Sequence, residues 1–424
     1  MQQSNNAVRS LTIAIAAAAL AACGGGGSGS SAAGDPAAGD PMVSTTTVGT
    51  ITGFGSIFVN GIEFETDDAS FRVDDQDRFD DSALALGMKV RVTGSVDGDG
   101  RRGRADSVYY DDDIKGPIDA GSVVLVDAAT KTFRVFGLAV RSSVSGTVFD
   151  DGASFDALAE GQRVEVSGFF DGSELIATRI EGQGGADGEH EIKGVVQGYD
   201  GDTITLALVN GVEAGPFAIG AGAELEIPAQ PLGSFVEVKL VAQGGSLVAV
   251  RVQSEDDDLL DHSDVGARIS LRGILKGDGG SGFLLGGTPL ALGAGTDYEP
   301  GSLRGSLAAG MEVKVEGRIE AGVLRVDEIA AGRGEEELGG RLVSLTLADA
   351  KTGTLVIDLG DGDTVEISTG SGTTFEDDSE LDLDDDHSFD LDELHPGSDY
   401  LDIEAYVGAG GRLIATRIER NDAQ

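Results

Sequence analysis

Short segments in which apolar and polar residues alternate recur along the chain and predict β-strands. In one of them, Val164 and Val166 alternate with Arg163 and Glu165, so one face of the segment is apolar and the other is polar. We therefore expect the two valines to face a core and the two charged side chains to face water. A turn and a second alternating segment, 175–181, follow, and together they predict a β-hairpin.

This hairpin pattern occurs five times, and each copy begins with a glycine. The leading glycines are Gly87, Gly161, Gly233, Gly310 and Gly397, which are 72 to 87 residues apart. That interval is too long for a solenoid rung and is typical of a small domain. A leucine three residues before the glycine in four copies predicts one helical turn that ends at the glycine. Pro228 and Pro231 disfavour this turn in the third copy.

The first half of each repeat predicts three further strands. In the first repeat the Asn60-Gly61 dipeptide is a strong signal for a tight hairpin turn. Three strands, a helical turn and a terminal hairpin make a five-stranded barrel, and this order is similar to the OB-fold. The predicted fold class is all-β, with five tandem small OB-like barrels that each hold at most one short helical turn. The predicted domains are 48–114, 115–188, 189–257, 267–333 and 338–420, the last with an acidic insertion.

The first repeat carries a recognisable motif. Segment 48–69 contains GFGSIFVNGIEFET and is followed by the patterns Gly-x-x-Val-x-Val-x-Gly and Leu-x-Ala-x-x-Ile in the repeats. This combination resembles a bacterial family of exported repeat proteins that is catalogued only as a domain of unknown function. The resemblance covers most of residues 48–420. It implies an exported protein made of tandem OB-like barrels, and it implies no established activity.

The N-terminus has the pattern of a secretory signal. Arg9 precedes an apolar run at 11–22, which is too short to span a bilayer. The run ends in Leu-Ala-Ala-Cys, which resembles the bacterial lipobox. We therefore predict that residues 1–22 are a lipoprotein signal peptide and that Cys23, the only cysteine, is the lipidation site.

The segment after the cysteine predicts a tether to a membrane. Residues 23–47 are rich in glycine, serine and alanine and offer almost nothing to bury. A flexible chain of this length has a root-mean-square reach of about 25 Å. By resemblance to lipoprotein sorting in enteric bacteria, Gly24 favours the outer membrane. The predicted location is the cell envelope, on the periplasmic or the surface face of the outer membrane.

The charge of the chain limits its partners. It has 74 acidic and 30 basic residues, for a formal net charge of −44. Such a field repels nucleic acid, because binding requires clustered Lys and Arg to neutralise phosphates. Tyr109 and Tyr110 could expose one ring beside the acidic run 111–113, but the charge of that run also repels nucleic acid. We predict a membrane partner through the lipid, an unknown envelope protein or polymer, and neither nucleic acid nor nucleotide.

An acidic segment in the fifth repeat matches most of a Ca²⁺-binding loop. Oxygen-bearing side chains stand at the spacing that one cation requires, at Asp382, Asp384, Asp386, Ser388, Asp390 and Glu393. His387 stands where the loop needs glycine, and Pro396 forbids a long exiting helix. Two interpretations therefore remain, a weak Ca²⁺ site and a solvated acidic insertion. No other metal or cofactor is predicted.

The sequence gives little support for catalysis. Two Gly-x-Gly-x-x-Gly strings, at 98–103 and 277–282, fall in hairpin turns and not in a βαβ unit. The chain has neither a Gly-x-Ser-x-Gly elbow nor a Gly-Lys-Ser/Thr phosphate loop. We predict a non-enzymatic, lipid-anchored envelope protein with a binding or scaffolding role. The alternatives are a Ca²⁺-responsive adhesion or matrix protein that uses loop 382–393, and an enzyme that acts on envelope polymers.

Overall fold

Five β-barrels follow one another along the chain, and each is built from the alternating segments of one repeat. The computed structural model describes residues 42–421, apart from 99, 128, 185–187, 256–265, 278, 281, 333–334, 361–363, 378–387 and 409–411. The barrels belong to one compact unit, Asp40–Gln424. Among the described residues, no helix has the length and apolar character needed to cross a membrane.

Each of the first two repeats has seven strands among the described residues. Those of the first repeat are β1 (Val43–Gly53), β2 (Ile57–Val59), β3 (Ile62–Glu65), β4 (Ser70–Val73), β5 (Gln76–Arg78), β6 (Lys89–Val96) and β7 (Arg102–Tyr110). Those of the second are β8 (Ile114–Pro117), β9 (Val124–Asp127), β10 (Thr130–Val135), β11 (Leu138–Ser143), β12 (Val148–Asp150), β13 (Arg163–Phe170) and β14 (Leu175–Gly182).

The remaining repeats continue the series. The third has β15 (His190–Tyr199), β16 (Thr203–Leu208), β17 (Glu213–Glu226), β18 (Phe235–Gln243) and β19 (Ser246–Ser254). The fourth has β20 (Arg268–Ile274), β21 (Lys276–Gly277), β22 (Phe283–Leu285), β23 (Thr288–Ala291), β24 (Asp297–Glu299), helix α1 (Leu303–Ser306), β25 (Glu312–Glu320) and β26 (Val323–Ala331). The fifth has β27 (Glu335–Leu347), β28 (Gly353–Asp358), β29 (Thr364–Asp377), β30 (Tyr400–Val407) and β31 (Leu413–Asn421).

The strand order is that of an OB-fold. In the fifth repeat the barrel closes in the order β27-β28-β29-β31-β30, and β30 pairs back onto β27. The third and last strands, β29 and β31, are parallel, whereas the other pairs are antiparallel. The third repeat closes in the same way. This order confirms the predicted class of small five-stranded barrels.

The leading glycine of every repeat is hydrogen-bonded to the segment of the first strand. Its φ lies between 76° and 89° in all five copies, a conformation that side-chain-bearing residues rarely adopt. Its N–H donates to a carbonyl of the first-strand segment at 2.7–2.9 Å; the acceptors are Ile51, Ile118, Val196, Leu275 and Leu342. The glycine therefore does more than end a turn, because it also closes the barrel at this point.

The predicted helical turn before this glycine is short where it occurs. Residues Asp81–Ala83 and Leu391–Glu393 form single 3₁₀ turns, and α1 occupies the same place in the fourth repeat. In the second repeat the N–H of Leu158 donates to the carbonyl of Ser154, which makes one helix-like turn. Between β17 and β18 the described residues form no helix, in agreement with the two prolines of that segment.

A second glycine lies at a bulge in the second-to-last strand of three repeats, which is β6, β13 or β25. The register between the last two strands shifts at Gly94, Gly168 and Gly317. A Cβ at Gly168 would lie 2.2 Å from the carbonyl oxygen of Ile176, far inside van der Waals contact. Only glycine therefore lets β14 approach β13 so closely at this bulge.

These two kinds of glycine predict different costs of substitution. Gly161→Ala should lower the free energy of unfolding by about 1–2 kcal/mol, because its φ is left-handed but a Cβ would meet no atom within 4 Å. Gly168→Ala should cost about 3 kcal/mol or more, because β14 must move away. Urea denaturation of the whole protein gives the midpoints, and hydrogen exchange in β13 and β14 locates the damage.

Gly293→Ala is the matched control for both changes. Gly293 has no positive φ and its Cβ would enter open space, so the midpoint should not move. Equal midpoints for Gly168→Ala and Gly161→Ala would contradict the close approach of the two strands.

The repeats are joined through their first strands. Strand β1 pairs in parallel with β20 over residues 45–48 and 268–271, which connects the first repeat to the fourth. Strand β8 pairs antiparallel with β15, where Lys115 lies opposite Glu191, and so connects the second repeat to the third. The second and third repeats consequently share one continuous apolar core.

The fourth repeat receives side chains from two neighbours. Val48 of the first repeat and Tyr406 of the fifth are both buried in its apolar core. The Tyr406 hydroxyl lies 2.6 Å from the hydroxyl of Ser306 in α1. The five barrels are thus packed against one another and are not independent domains on flexible linkers.

Candidate functional site: a buried ionic junction

A row of charged side chains crosses the sheet that the second and third repeats share. Strands β14, β13, β8, β15, β18 and β19 lie side by side, and their register places one charged residue of each strand directly opposite the next. This ionic row consists of Glu181, Glu165, Lys115, Glu191, Lys239 and Arg251. Because the side chains of a strand alternate between faces, the row is the polar counterpart of the apolar core beneath it.

The first repeat covers this row. Its Asp74-Asp75 turn, with φ values of 47° and 61°, joins β4 to β5 and points into the row together with the segment 110–113. Glu165 is left only 5% exposed and Glu191 only 2%. The prediction that Glu165 faces water is therefore wrong. The predicted alternation of faces was correct, since Val166 lies in the core. The polar face is nevertheless buried, because the barrel of the first repeat lies on it.

Arg163 corrects the same prediction for a different reason. Its guanidinium donates to the carbonyls of Gly184 and Glu189, in the segment that connects β14 to β15. It is 8% exposed. His190, which follows Glu189 in the chain, is also buried and packs edge-on against Phe136. This burial lowers the pKa of the His190 imidazole below its ordinary value.

Asp75 connects the first repeat to the third. One of its oxygens accepts a hydrogen bond from Gln253 at 2.9 Å and lies 3.2 Å from the Lys239 ammonium and 3.4 Å from Arg251. The other oxygen pairs with Arg72. Burial by itself would raise the pKa of Asp75, but the hydrogen bond from Gln253 and the charge of Lys239 lower it below its ordinary value.

A second group of carboxylates surrounds Lys193. The Asp111, Glu191 and Glu237 side chains each place an oxygen within 4.8 Å of the other two. The Lys193 ammonium donates to Asp111 and lies 3.7 Å from Glu191 and 3.9 Å from Glu237. Lys239 lies 3.4 Å from Glu237 on the other side. Two ammonium groups therefore accompany these three acids.

The third group has fewer cations. Asp74, Asp112 and Glu165 also place carboxylate oxygens within 4.8 Å of one another. Glu165 accepts a hydrogen bond from the Tyr110 hydroxyl at 3.3 Å and lies 2.7 Å from the Lys115 ammonium. Asp112 is fully buried, and neither of its carboxylate oxygens has a hydrogen-bond partner among the described residues.

Burial shifts the protonation of these groups. It raises the pKa of Asp74 to about 7, with a further contribution from the charge of Glu165. It raises the pKa of Asp112 well above the ordinary value, where Glu191 and Glu165 add to the effect. Burial disfavours the charge of Lys115, but the nearby carboxylates, Glu165 first, raise its pKa above the ordinary value. Burial therefore favours the protonated forms of Asp74 and Asp112, whereas Lys115 keeps its charge.

The residues predicted from sequence lie elsewhere. Cys23 and the first three candidate Ca²⁺ ligands, Asp382, Asp384 and Asp386, lie outside the described residues. Ser388 is exposed. The N–H of Asp390 donates to Glu393 at 2.9 Å, and Asp390 lies 3.0 Å from the ammonium of Lys351. The structure thus brings two of the six candidates together, and the loop itself stays a prediction.

The sequence offered one unread signal for the junction. Residues 74–75 and 111–113 are acidic runs, and each directly follows a strand that ends in an apolar residue. Acidic side chains are usually solvated, because burial of an unpaired charge is costly. Tyr110 is in fact 1% exposed, and Asp111 and Asp112 are buried beside it. An apolar residue next to such a run is the only local indication that the run enters the interior.

Fold and repeat pattern together define a protein of tandem OB-like barrels. Four regions match the family described as "Domain of unknown function (DUF5666)"; they are residues 47–108, 115–181, 272–330 and 345–419. They cover more than half of the chain, which therefore belongs to this family. The third repeat lies between matched regions and has the same strand order.

No curated protein matches the chain. A solved structure, "drosophila Unr CSD456", is similar at 15% identity, with 51% of this chain and 98% of that chain covered and a TM-score of 0.16. A TM-score of this size does not bear on the arrangement of the barrels here.

The buried Glu237 predicts a pH-dependent stability. Burial raises its pKa above the ordinary 4.5, so the folded protein keeps this proton where the unfolded chain releases it. Its contribution to the free energy of unfolding therefore falls as the pH rises above 4.5. Glu237→Gln should match the wild type near pH 4.5 and exceed it by about 1–3 kcal/mol at pH 8.

Urea denaturation at several pH values measures this difference. Both oxygens of Glu237 lack a hydrogen-bond partner in the described structure, so the amide breaks no hydrogen bond. Lys193 and Lys239 keep their other acidic partners. Glu213→Gln, at an exposed position, is the control. A gap between Glu237→Gln and the wild type that does not change with pH would show that the Glu237 carboxyl is ionised in the folded protein.

Proposed function

We propose that this protein is a non-catalytic scaffold of the cell envelope, held to a membrane by a lipid on Cys23. The observation that carries the scaffold role is the joining of repeats through shared strand pairing and a buried ionic junction. Such joining is unnecessary for barrels that act one at a time. It suits a protein whose task is to hold a fixed arrangement of surfaces.

The joining follows from the geometry of the first strand. In the first repeat, residues 43–50 of β1 pair with β6, whereas β2 pairs only with residues 51–53. One edge of the first half of β1 is therefore left open by its own barrel. An open edge exposes backbone N–H and C=O groups, which a protein has to cover. Here β20 pairs with the open edge of β1, and β8 and β15 cover each other's open edges in the same way.

Small barrels also benefit energetically from this contact. A domain of about 70 residues buries only about 60% of the surface that its unfolded chain exposes, so each repeat is marginal alone. The common core of the second and third repeats and the insertion of Val48 and Tyr406 into the fourth add apolar burial. The stability of each repeat then depends on its neighbours, which favours a stiff block over a flexible array.

The partner of such a block is expected to be cationic. With a formal charge of −44, the protein attracts basic surfaces and cations and repels nucleic acid. We propose a basic envelope protein or polymer as the partner, bound in a manner that salt weakens. An envelope protein retained by the whole chain at low ionic strength and released at high ionic strength would agree with this chemistry.

Asp75 offers a test of the joined block. Asp75→Ala leaves Lys239 and Arg251 without this buried acid and should lower stability by about 3–5 kcal/mol. It should also separate the first repeat from the third, so the radius of gyration measured by small-angle X-ray scattering should increase. Asp77→Ala, at an exposed position of β5, should change neither quantity. An unchanged radius of gyration and an unchanged stability in Asp75→Ala would contradict a rigid arrangement of the first and third repeats.

Cys23 offers a test of the membrane attachment. Cys23→Ser should abolish incorporation of a labelled fatty acid, because the chain has no other cysteine. The variant should also move from the membrane fraction to the soluble fraction of the cell. Ser28→Ala, in the predicted tether, is the control and should keep both label and location. Equal fatty-acid label in the Cys23 variant and the wild type would disprove lipidation at this residue.

A further inference from the structure

The group formed by Asp74, Asp112 and Glu165 lacks what buried acids normally require. Asp112 is 0% exposed, and both of its oxygens are without a hydrogen-bond donor in the described part of the chain. One oxygen of Asp74 is buried and unpartnered as well. A buried carboxylate is costly unless a cation or hydrogen bonds compensate it. The oxygens of all three acids nevertheless converge within 4.8 Å.

The charges around this group leave room for one divalent cation. Lys115 is paired with the group, at 2.7 Å from Glu165. Lys193 does not pair with these three carboxylates, because its ammonium donates to the Asp111 carboxylate and to the backbone carbonyl of Asp112. In the ionised form that binds a metal ion, the three carboxylates and one ammonium carry two negative charges in excess. A single divalent cation cancels this excess without a further protein group.

We propose that Asp74, Asp112 and Glu165 bind one Ca²⁺ ion at the junction of the first two repeats. The donors are all carboxylate oxygens, which suit a hard cation, and the group contains neither cysteine nor histidine to favour zinc. Ca²⁺ fits better than Mg²⁺ because Asp112 is fully buried and Glu165 nearly so, which leaves little room for a hydrated ion. Mg²⁺ usually retains several water molecules, whereas Ca²⁺ accepts carboxylates directly in flexible geometry.

The neighbouring group is not a second site of this kind. Asp111, Glu191 and Glu237 have Lys193 and Lys239 within 4 Å of their oxygens. Even with all three of these acids ionised, the two ammonium groups reduce the excess to one negative charge. A divalent cation there would add more positive charge than the acids leave uncompensated, so the proposal is confined to the group around Asp112.

The ion would crosslink parts of the chain that are distant in sequence. Asp74 lies on the turn after β4, Asp112 on the connection between the first two barrels, and Glu165 on β13. Ca²⁺ would therefore stabilise the contact between these barrels and would add its binding free energy to folding. This role is independent of lipidation and of any envelope partner.

Calorimetric titration of the whole protein with Ca²⁺ tests the proposal. The protein is first stripped with EDTA and dialysed, then titrated in 150 mM KCl with 5 mM Mg²⁺ to occupy diffuse acidic surface. We expect saturable binding that Asp112→Asn weakens by about a hundredfold or more. Asp202→Asn, at an exposed position, should bind like the wild type. Glu393→Gln reports on loop 382–393 separately and should leave this binding intact.

A spectroscopic arm locates the ion. Tb³⁺ replaces Ca²⁺ at oxygen sites and emits when a nearby tyrosine transfers energy to it. The chain has no tryptophan, and the Tyr110 hydroxyl donates to Glu165 at the site. Excitation of tyrosine should therefore give Tb³⁺ emission that Ca²⁺ displaces. Tyr110→Phe should lose most of this emission while calorimetry still detects Ca²⁺ binding, and Tyr298→Phe, in the fourth repeat, should keep it.

The outcomes separate the competing explanations. Binding that survives Asp112→Asn and disappears in Glu393→Gln would place the ion in the loop and overturn the proposal. The absence of saturable binding, together with Asp112→Asn more stable than the wild type, would show that a proton neutralises Asp112. If Asp112→Asn does not fold, Asp74→Asn takes its place, and wild-type melting that Ca²⁺ does not raise above the Mg²⁺ control would also overturn the proposal.

Discussion

The open edge of the first strand is the constraint on which the rest of this structure depends. In the first, third and fifth barrels the first strand pairs with the second-to-last strand over its first half and with the second strand over its second half, so the barrel itself leaves one edge of the first half unpaired. The structure closes these edges by pairing β1 with β20 and β8 with β15. Once β8 and β15 are adjacent, the polar faces of two barrels become one surface. The first repeat then lies on that surface.

The buried ionic junction is a consequence of this arrangement. Charged residues that would face water on a single barrel lose their solvent when another barrel covers them. Lys115, Lys193 and Lys239 each find acidic partners, and Asp75 gathers cations from two strands of the third repeat. Buried ion pairs of this kind add little net stability compared with apolar packing, but they penalise wrong pairings heavily. The junction therefore disfavours any arrangement that buries these acids and lysines apart from one another.

The same fold can serve different ends according to its surface. OB barrels that bind nucleic acid present basic grooves and exposed aromatic rings. Here the net charge is −44, and large aromatic side chains such as Phe64, Tyr110 and Tyr406 are fully buried. The polar faces are used for contact between repeats. The barrels of this chain therefore lack the basic charge that such a groove would need, and the rings of Phe64, Tyr110 and Tyr406 are not exposed for it.

Much of the local structure could be predicted from the sequence, because it depends on near neighbours along the chain. Alternation placed Val164 and Val166 in the core, and the repeated glycines marked the turn that clasps each first strand. A glycine is required there by backbone conformation alone, which a sequence pattern reports directly. The five barrels and their strand order followed from these signals.

The sequence could not determine which polar faces would be covered. Glu165 and Asp112 have the sequence context of solvated residues, and both are buried because barrels far apart in the chain meet over them. Alternation tells which face of a strand is polar, but burial of that face depends on pairing between first strands and on the docking of the first repeat. These contacts are non-local, and their energies depend on charges from three repeats at once. Only the tertiary structure decided that acids on separate repeats would converge.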